Sequence, residues 1–103
     1  MTDKEFEDAF TAAGGWFLLT QAETVLDWTG SQGELIDHLY TKGFDAKRRG
    51  TQTRVSSMRR LINEGCFADA LIKVRDSNRI NRQHPKAYQI ASDILQRRFK
   101  TVL

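Results

Sequence analysis

Phe67-Ala68-Asp69-Ala70-Leu71-Ile72-Lys73-Val74-Arg75 decides the fold, because the stretch reads at two periods. Taken for its aliphatic run, Leu71-Ile72-Lys73-Val74-Arg75 is a strand. Ala87-Tyr88-Gln89-Ile90-Ala91 then alternates well enough to return beside it. Asp76-Ser77-Asn78 opens the intervening loop, which holds Arg79, Arg82 and Lys86. Taken at helical spacing, Phe67 to Val74 is one continuous helix, and no hairpin remains. The strand reading is the expectation, so the fold class is mainly α with a small β-hairpin (α+β).

Upstream, the punctuation is helical. Thr53-Arg-Val-Ser-Ser-Met-Arg-Arg-Leu-Ile-Asn-Glu-Gly65 is the clearest helix of this half, opened by Thr51 or Thr53 and stopped by Gly65. At ~100° per residue, Val55, Met58, Leu61 and Ile62 form a core-facing stripe. The opposite arc carries Gln52, Thr53, Ser56, Arg60 and Asn63. Asp45 to Gly50 is a short basic turn of helix. Ser31-Gln-Gly-Glu34 is a capping box before a helix with Leu35, Ile36, Leu39 and Tyr40 inward, and Thr20-Gln-Ala-Glu23 has the same spacing. Trp16 to Leu19 is a short strand or buried lead-in. Asp3 to Ala13 is a first helix ended by Gly14-Gly15. Ser92-Asp93 caps a last helix with Ile94, Leu95 and Phe99 inward.

Charge is divided by position. Residues 1–45 carry nine acids and two bases, a net −7, whereas residues 46–103 carry fourteen bases and four acids, a net +10. That asymmetry points to a basic face for a polyanion and to a second part with another task. The single cysteine, Cys66, excludes a disulfide scaffold. No apolar run approaches the ~20 residues of a membrane span, so no membrane partner is expected. His38 and His84 lie far apart without ligand spacing, which gives no metal site and no cofactor. Ser56-Ser57 has no His–Asp arrangement, so no catalytic residue is assigned.

The order helix, basic helix, strand, basic loop, strand, together with Thr53–Gly65 and His84-Pro-Lys-Ala-Tyr-Gln-Ile90, resembles the winged helix-turn-helix family of prokaryotic and phage DNA-binding proteins. The resemblance covers residues 31–91. It implies a winged helix-turn-helix with extra N-terminal helices: residues 1–30 as a helical scaffold and 31–103 as the winged unit with its C-terminal helix, in one compact domain. It also implies a non-catalytic, sequence-specific double-stranded DNA-binding protein, a transcriptional regulator. Gln52, Thr53, Ser56, Arg60 and Asn63 would contact bases in the major groove. Lys47, Arg48, Arg49, Arg54 and Arg59 would contact phosphates, and Arg79, Arg82 and Lys86 would form the wing.

A second register, Thr20–Trp28, Thr29-Gly30-Ser31 and Gln32–Lys42, is similar to a helix-turn-helix of the excisionase kind. Its outward Glu34 and Asp37 repel phosphate. The expected partners are double-stranded DNA, a second copy of the chain on a palindromic site, and a protein bound through the acidic half, in a cytoplasmic, nucleoid-associated setting. The alternative function is a protein–protein adaptor or phage-type inhibitor on the same fold. An RNA binder stands third, with Tyr88 its one candidate for stacking.

Overall fold

Burial through residues 67–75 repeats at three and four positions. Phe67, Ala70, Leu71 and Val74 are buried, while Lys73 and Arg75 are only half-buried. A strand through Leu71 would carry Lys73 and Arg75 on the same face as Leu71, so a buried Leu71 would bring two charges into the core. The helix avoids this, and Ala68 and Ala70 favour it intrinsically. The computed structural model describes residues 1–100, and in it this segment is helical from end to end. Residues 101–103, where the expected second segment closes, lie outside the described residues.

Seven helices make up the described residues: α1 (Asp3–Ala13), α2 (Gly15–Asp27), α3 (Gln32–Tyr40), α4 (Arg48–Asn63), α5 (Phe67–Arg75), α6 (Asn78–Gln83) and α7 (Ala87–Phe99). No strand occurs among them. The α+β expectation and the winged helix with its β-hairpin are therefore corrected. The first wing strand is part of α5, and the second is the first turn and a half of α7. The loop holding Arg79 and Arg82 is largely α6.

Other local readings change for identifiable reasons. Trp16 to Leu19 is the start of α2, whose Phe17, Leu18, Leu19, Gln21, Ala22 and Val25 are all buried. A helix apolar around most of its circumference belongs at a centre, and α2 indeed touches α1, α4, α5 and α7. Thr20 does not cap it; its hydroxyl donates to the Trp16 carbonyl at 2.9 Å, one turn back inside the helix. Ser92 likewise lies buried within α7 rather than at its start. Of the expected short basic helix, Arg48 to Gly50 run without a break into the Thr53 helix as α4, whereas Asp45 to Lys47 precede it and are not helical.

The Ser31–Glu34 capping box is present at α3, and Thr2 with Glu5 forms another at α1. Gly65 follows α4 in the left-handed region, φ +72°, where a residue without Cβ is favoured. Val55, Met58 and Leu61 are fully buried, as their stripe requires.

Two groups pack around α2. In one, α4 is flanked by α1 and α3; in the other, α5 lies along α7. Small residues bring α5 and α7 together, since Ala70, Ala87 and Ala91 have no exposed surface. α6 docks on the α1–α2 turn through the buried Ile80. Its Cδ1 would stand 2.4 Å from a Cβ added to Gly15, and Phe10 Cζ would stand 3.4 Å away.

That close approach yields a paired expectation. Gly15→Ala should destabilise the chain by roughly 1–3 kcal/mol through overpacking against buried Ile80. Gly33→Ala, on α3, meets only Ser31 Oγ at 3.9 Å and should stabilise by up to ~1 kcal/mol through helix propensity. Thermal melts followed by circular dichroism should move the two midpoints in opposite directions. A Gly15→Ala midpoint equal to that of the parent would refute the docking of α6.

Candidate nucleic-acid interface

The sequence-level charge split is in large part closed inside the molecule. Basic side chains of the second half meet acids of the first: Arg48 with Asp37 (2.5 Å), Arg54 with Asp45 (3.0 Å), Arg60 with Glu5 (2.6 Å), Lys73 with Glu7 (2.9 Å), Arg97 with Glu23 (2.6 Å) and Arg98 with Asp27 (2.5 Å). Most are exposed, and each such pair contributes only ~0–1 kcal/mol. Together they tie down six of the fourteen bases of residues 46–103 and six of the nine acids of residues 1–45.

The expected base-reading arc lies on α4. Gln52, Thr53, Ser56, Arg60 and Asn63 are exposed. The Thr53 hydroxyl donates to the Arg49 carbonyl (3.1 Å), and Gln32 Nε2 lies 3.5 Å from Ser56 Oγ. Arg60 is tied to Glu5. The shallow groove between α1 and α4 includes Asp8, Ser56, Ser57 and Arg60. The arc is thus open to solvent but flanked by two helices, with carboxylates along the α1 side.

The expected phosphate contacts separate into four kinds. Lys47 and Arg49 are exposed at the start of α4 and have no carboxylate partner among the described residues. Arg48 is engaged by Asp37 and reaches the Gly33 carbonyl at 3.4 Å. Arg54 is a structural clamp. Its Nε donates to Asp45, its Nη1 donates to the Ala13 carbonyl (2.9 Å), and its guanidinium lies 5.3 Å from the Phe17 ring centre. Asp45 also accepts the buried Thr51 hydroxyl at 3.0 Å. Arg59 is half-buried, with its Nε enclosed and without a partner.

Arg79, Arg82 and Lys86, expected on a wing, sit instead on α6 and at the start of α7. All three are exposed, and none has a carboxylate partner among the described residues. With Lys42, Lys47 and Arg49 they account for most of the unpaired positive charge. The acids within or beside these segments, Asp45 and Asp76, are occupied by Arg54 and Arg75.

The two segments meet at one hollow. Phe44, from the α3–α4 connection, lines it together with Arg79, Ile80 and Gln83 of α6, over a floor made by Gly14 to Phe17. Trp16 and His84 stack beside it, ring centres 3.7 Å apart and nearly parallel. Sequence reasoning, which weighed His84 as a metal ligand, missed this contact. No local pattern signals a pair so far apart along the chain. Lys42, although unassigned by the motif, is likewise exposed in the α3–α4 connection and without an acid partner among the described residues.

No three His, Cys, Asp or Glu side chains converge on a metal-sized site among the described residues. No helix there is long and apolar enough to cross a membrane. The chain matches no protein-family model, no curated protein and no solved structure.

Two expectations concern the ion pairs. Arg54→Ala should cost ~2 kcal/mol, roughly 10 °C in Tm, because it strands Asp45 and the Ala13 carbonyl. A scanning-calorimetry midpoint within a degree of the parent would remove the clamp. The second concerns acid. The Thr2 backbone amide, then the Thr2 side chain and Arg60, hold Glu5 below its usual range, and a hydrogen bond from Arg98 does the same for Asp27. Both carboxyls therefore titrate lower in the folded than in the unfolded chain. Their stabilisation is complete above the ordinary carboxylate range of about 4 and fades as pH drops through the lowered folded values. Glu5→Gln combined with Asp27→Asn should flatten the rise of Tm between about pH 2 and 5. An unaltered rise would show that these pairs do not couple folding to protons.

Proposed function

We propose that this chain is a non-catalytic DNA-binding protein that holds a duplex by its phosphate backbone, through Lys42, Lys47 and Arg49 on one segment and Arg79, Arg82 and Lys86 on the other. One observation carries the reading. After the internal ion pairs are set aside, six of the eight bases left without a partner among the described residues fall in two exposed segments that border one hollow, and the acids there, Asp45 and Asp76, are already paired. Such a surface attracts phosphate regardless of sequence and fixes the protein's orientation on the duplex.

The exposed side chains of Gln52, Thr53, Ser56 and Asn63 are of the types that read base edges. Because α1 and α3 flank them and Glu5 and Asp8 stand alongside, affinity is assigned to the basic face rather than to this arc. A protein of this kind acts by occupying DNA, as a transcriptional regulator does.

Binding of a labelled duplex, measured by fluorescence anisotropy between about 50 and 200 mM salt, tests the reading. Six phosphate contacts would give a log–log salt slope near −5. Lys47→Ala and Arg82→Ala should each reduce its magnitude by about one, whereas Arg60→Ala, already paired to Glu5, should leave it unchanged. Absence of binding at low salt, or slopes indifferent to Lys47 and Arg82, would overturn the proposal.

A further inference from the structure

We infer that the hollow between the α1–α2 turn, the α3–α4 connection and α6 seats one unpaired base of the bound nucleic acid; this rests on the phosphate-binding reading of the surrounding face. The hollow has a volume of about 240 Å³, and its lining combines Trp16 and Phe44 with Arg54, Arg79 and Gln83. No carboxylate lines it. Each of the other hollows described is bordered by acids: Glu23, Asp27 and Glu34 between α2 and α3, Glu23 and Asp93 between α2 and α7, Glu7 and Asp76 between α1 and α5, and Asp8 between α1 and α4. Among the hollows described, this one is free of carboxylates, and Arg79 lines it while Phe44 and Gln83 tie it to the two segments that carry the other unpaired bases.

Its aromatic groups suit a flat ring. Phe44 meets Phe17 edge to face, with ring centres 5.0 Å apart and planes at 83°. It is also among the few large apolar side chains left exposed, at 36%. Exposing a Phe costs free energy that a stacked base recovers, and every base has a face to stack. Gln83 is exposed at the rim and offers both an amide donor and an acceptor to a base edge. Arg79 supplies a planar cation beside the ring and the phosphate that follows it. Trp16 stacks on His84, with ring centres 3.7 Å apart, so its position is set before any ligand arrives.

The occupant is thus a nucleobase outside the paired stack, at a bulge or flipped position, while the flanking phosphates lie against the basic segments. An aliphatic side chain from a protein partner is the competing occupant, and a base-free site in the same duplex separates the two.

The full chain should be titrated by fluorescence anisotropy against three duplexes of one sequence: perfectly paired, with one unpaired adenine, and with an abasic residue at the same bulge. The adenine bulge should bind at least about fivefold tighter than the abasic one. Phe44→Ala should erase that preference while leaving perfect-duplex affinity within about twofold. Phe44→Leu, which keeps bulk without a plane, should erase most of it. Gln83→Ala, at an exposed site that does not endanger folding, should reduce it. Equal binding of the two bulges, or a preference that survives both Phe44→Ala and Gln83→Ala in variants whose melts are intact, would overturn the inference. The backbone reading would then stand on the perfect duplex and its dependence on Lys47. Failure of all three duplexes to bind would overturn both.

Discussion

Arg54 is the point at which three separate pieces of chain become one surface. Its guanidinium donates to the last carbonyl of α1, to Asp45 in the α3–α4 connection, and lies against Phe17 at the start of α2. A helix end has carbonyls without intrahelical partners, and Arg54 supplies the donor for one of them. The pair with Asp45 is largely withdrawn from water, so it is tolerable only because each partner has further hydrogen bonds. Gly14 is required beside it. A Cβ at that position would fall 2.2 Å from Arg54 Nη1, and the backbone there already has φ +80°. The floor of the hollow and the direction of α4 both depend on this contact.

The other ion pairs act differently. They lie at the surface, contribute little individually and are screened by salt. Their arrangement is nonetheless systematic, since acids of α1 to α3 and their connections face bases of α4, α5 and α7. Such complementarity selects register, because sliding one group past the other would bring like charges together. A charge asymmetry along the sequence thus has two physical outlets, an external polyanion or the other half of the same chain. Here the second takes the greater share. The part left over is smaller than the sequence suggested, but it is localised.

This explains what could be read beforehand. The α1 boundaries, the Ser31–Glu34 cap, the Val55–Met58–Leu61 stripe and the Gly65 stop were legible because each is set by residues within one or two turns. Residues 67–75 were not, because a short apolar run satisfies a strand and a buried helix alike. What excludes the strand is the position of Lys73 and Arg75 relative to a core assembled from distant segments. Thr20–Glu23 has capping spacing, yet the apolar run before it continues the helix and overrides the box. The arc on α4 was correctly read as exposed. That Glu5 would hold Arg60 is a contact between residues 55 apart, which periodicity cannot reveal.

Replacing the hairpin by helices also changes how the bases are presented. On a long loop, Arg79, Arg82 and Lys86 would have to be ordered at the moment of binding, at an entropic cost. On α6 and at the start of α7 they are carried by backbone that is already anchored. Ile80 is buried against the α1–α2 turn. The Asn81 amide donates to the Arg75 and Ser77 carbonyls, and its oxygen accepts the Tyr88 N–H at 2.9 Å. That single Asn side chain bridges the end of α5, α6 and the start of α7. The cations therefore sit on a fixed frame, with Arg79 lining the same hollow as Phe44 and Trp16. On the proposed nucleic-acid reading, a rigid frame of this sort would discriminate by shape as well as by charge, because the backbone could not follow a phosphate or a base that does not match the spacing.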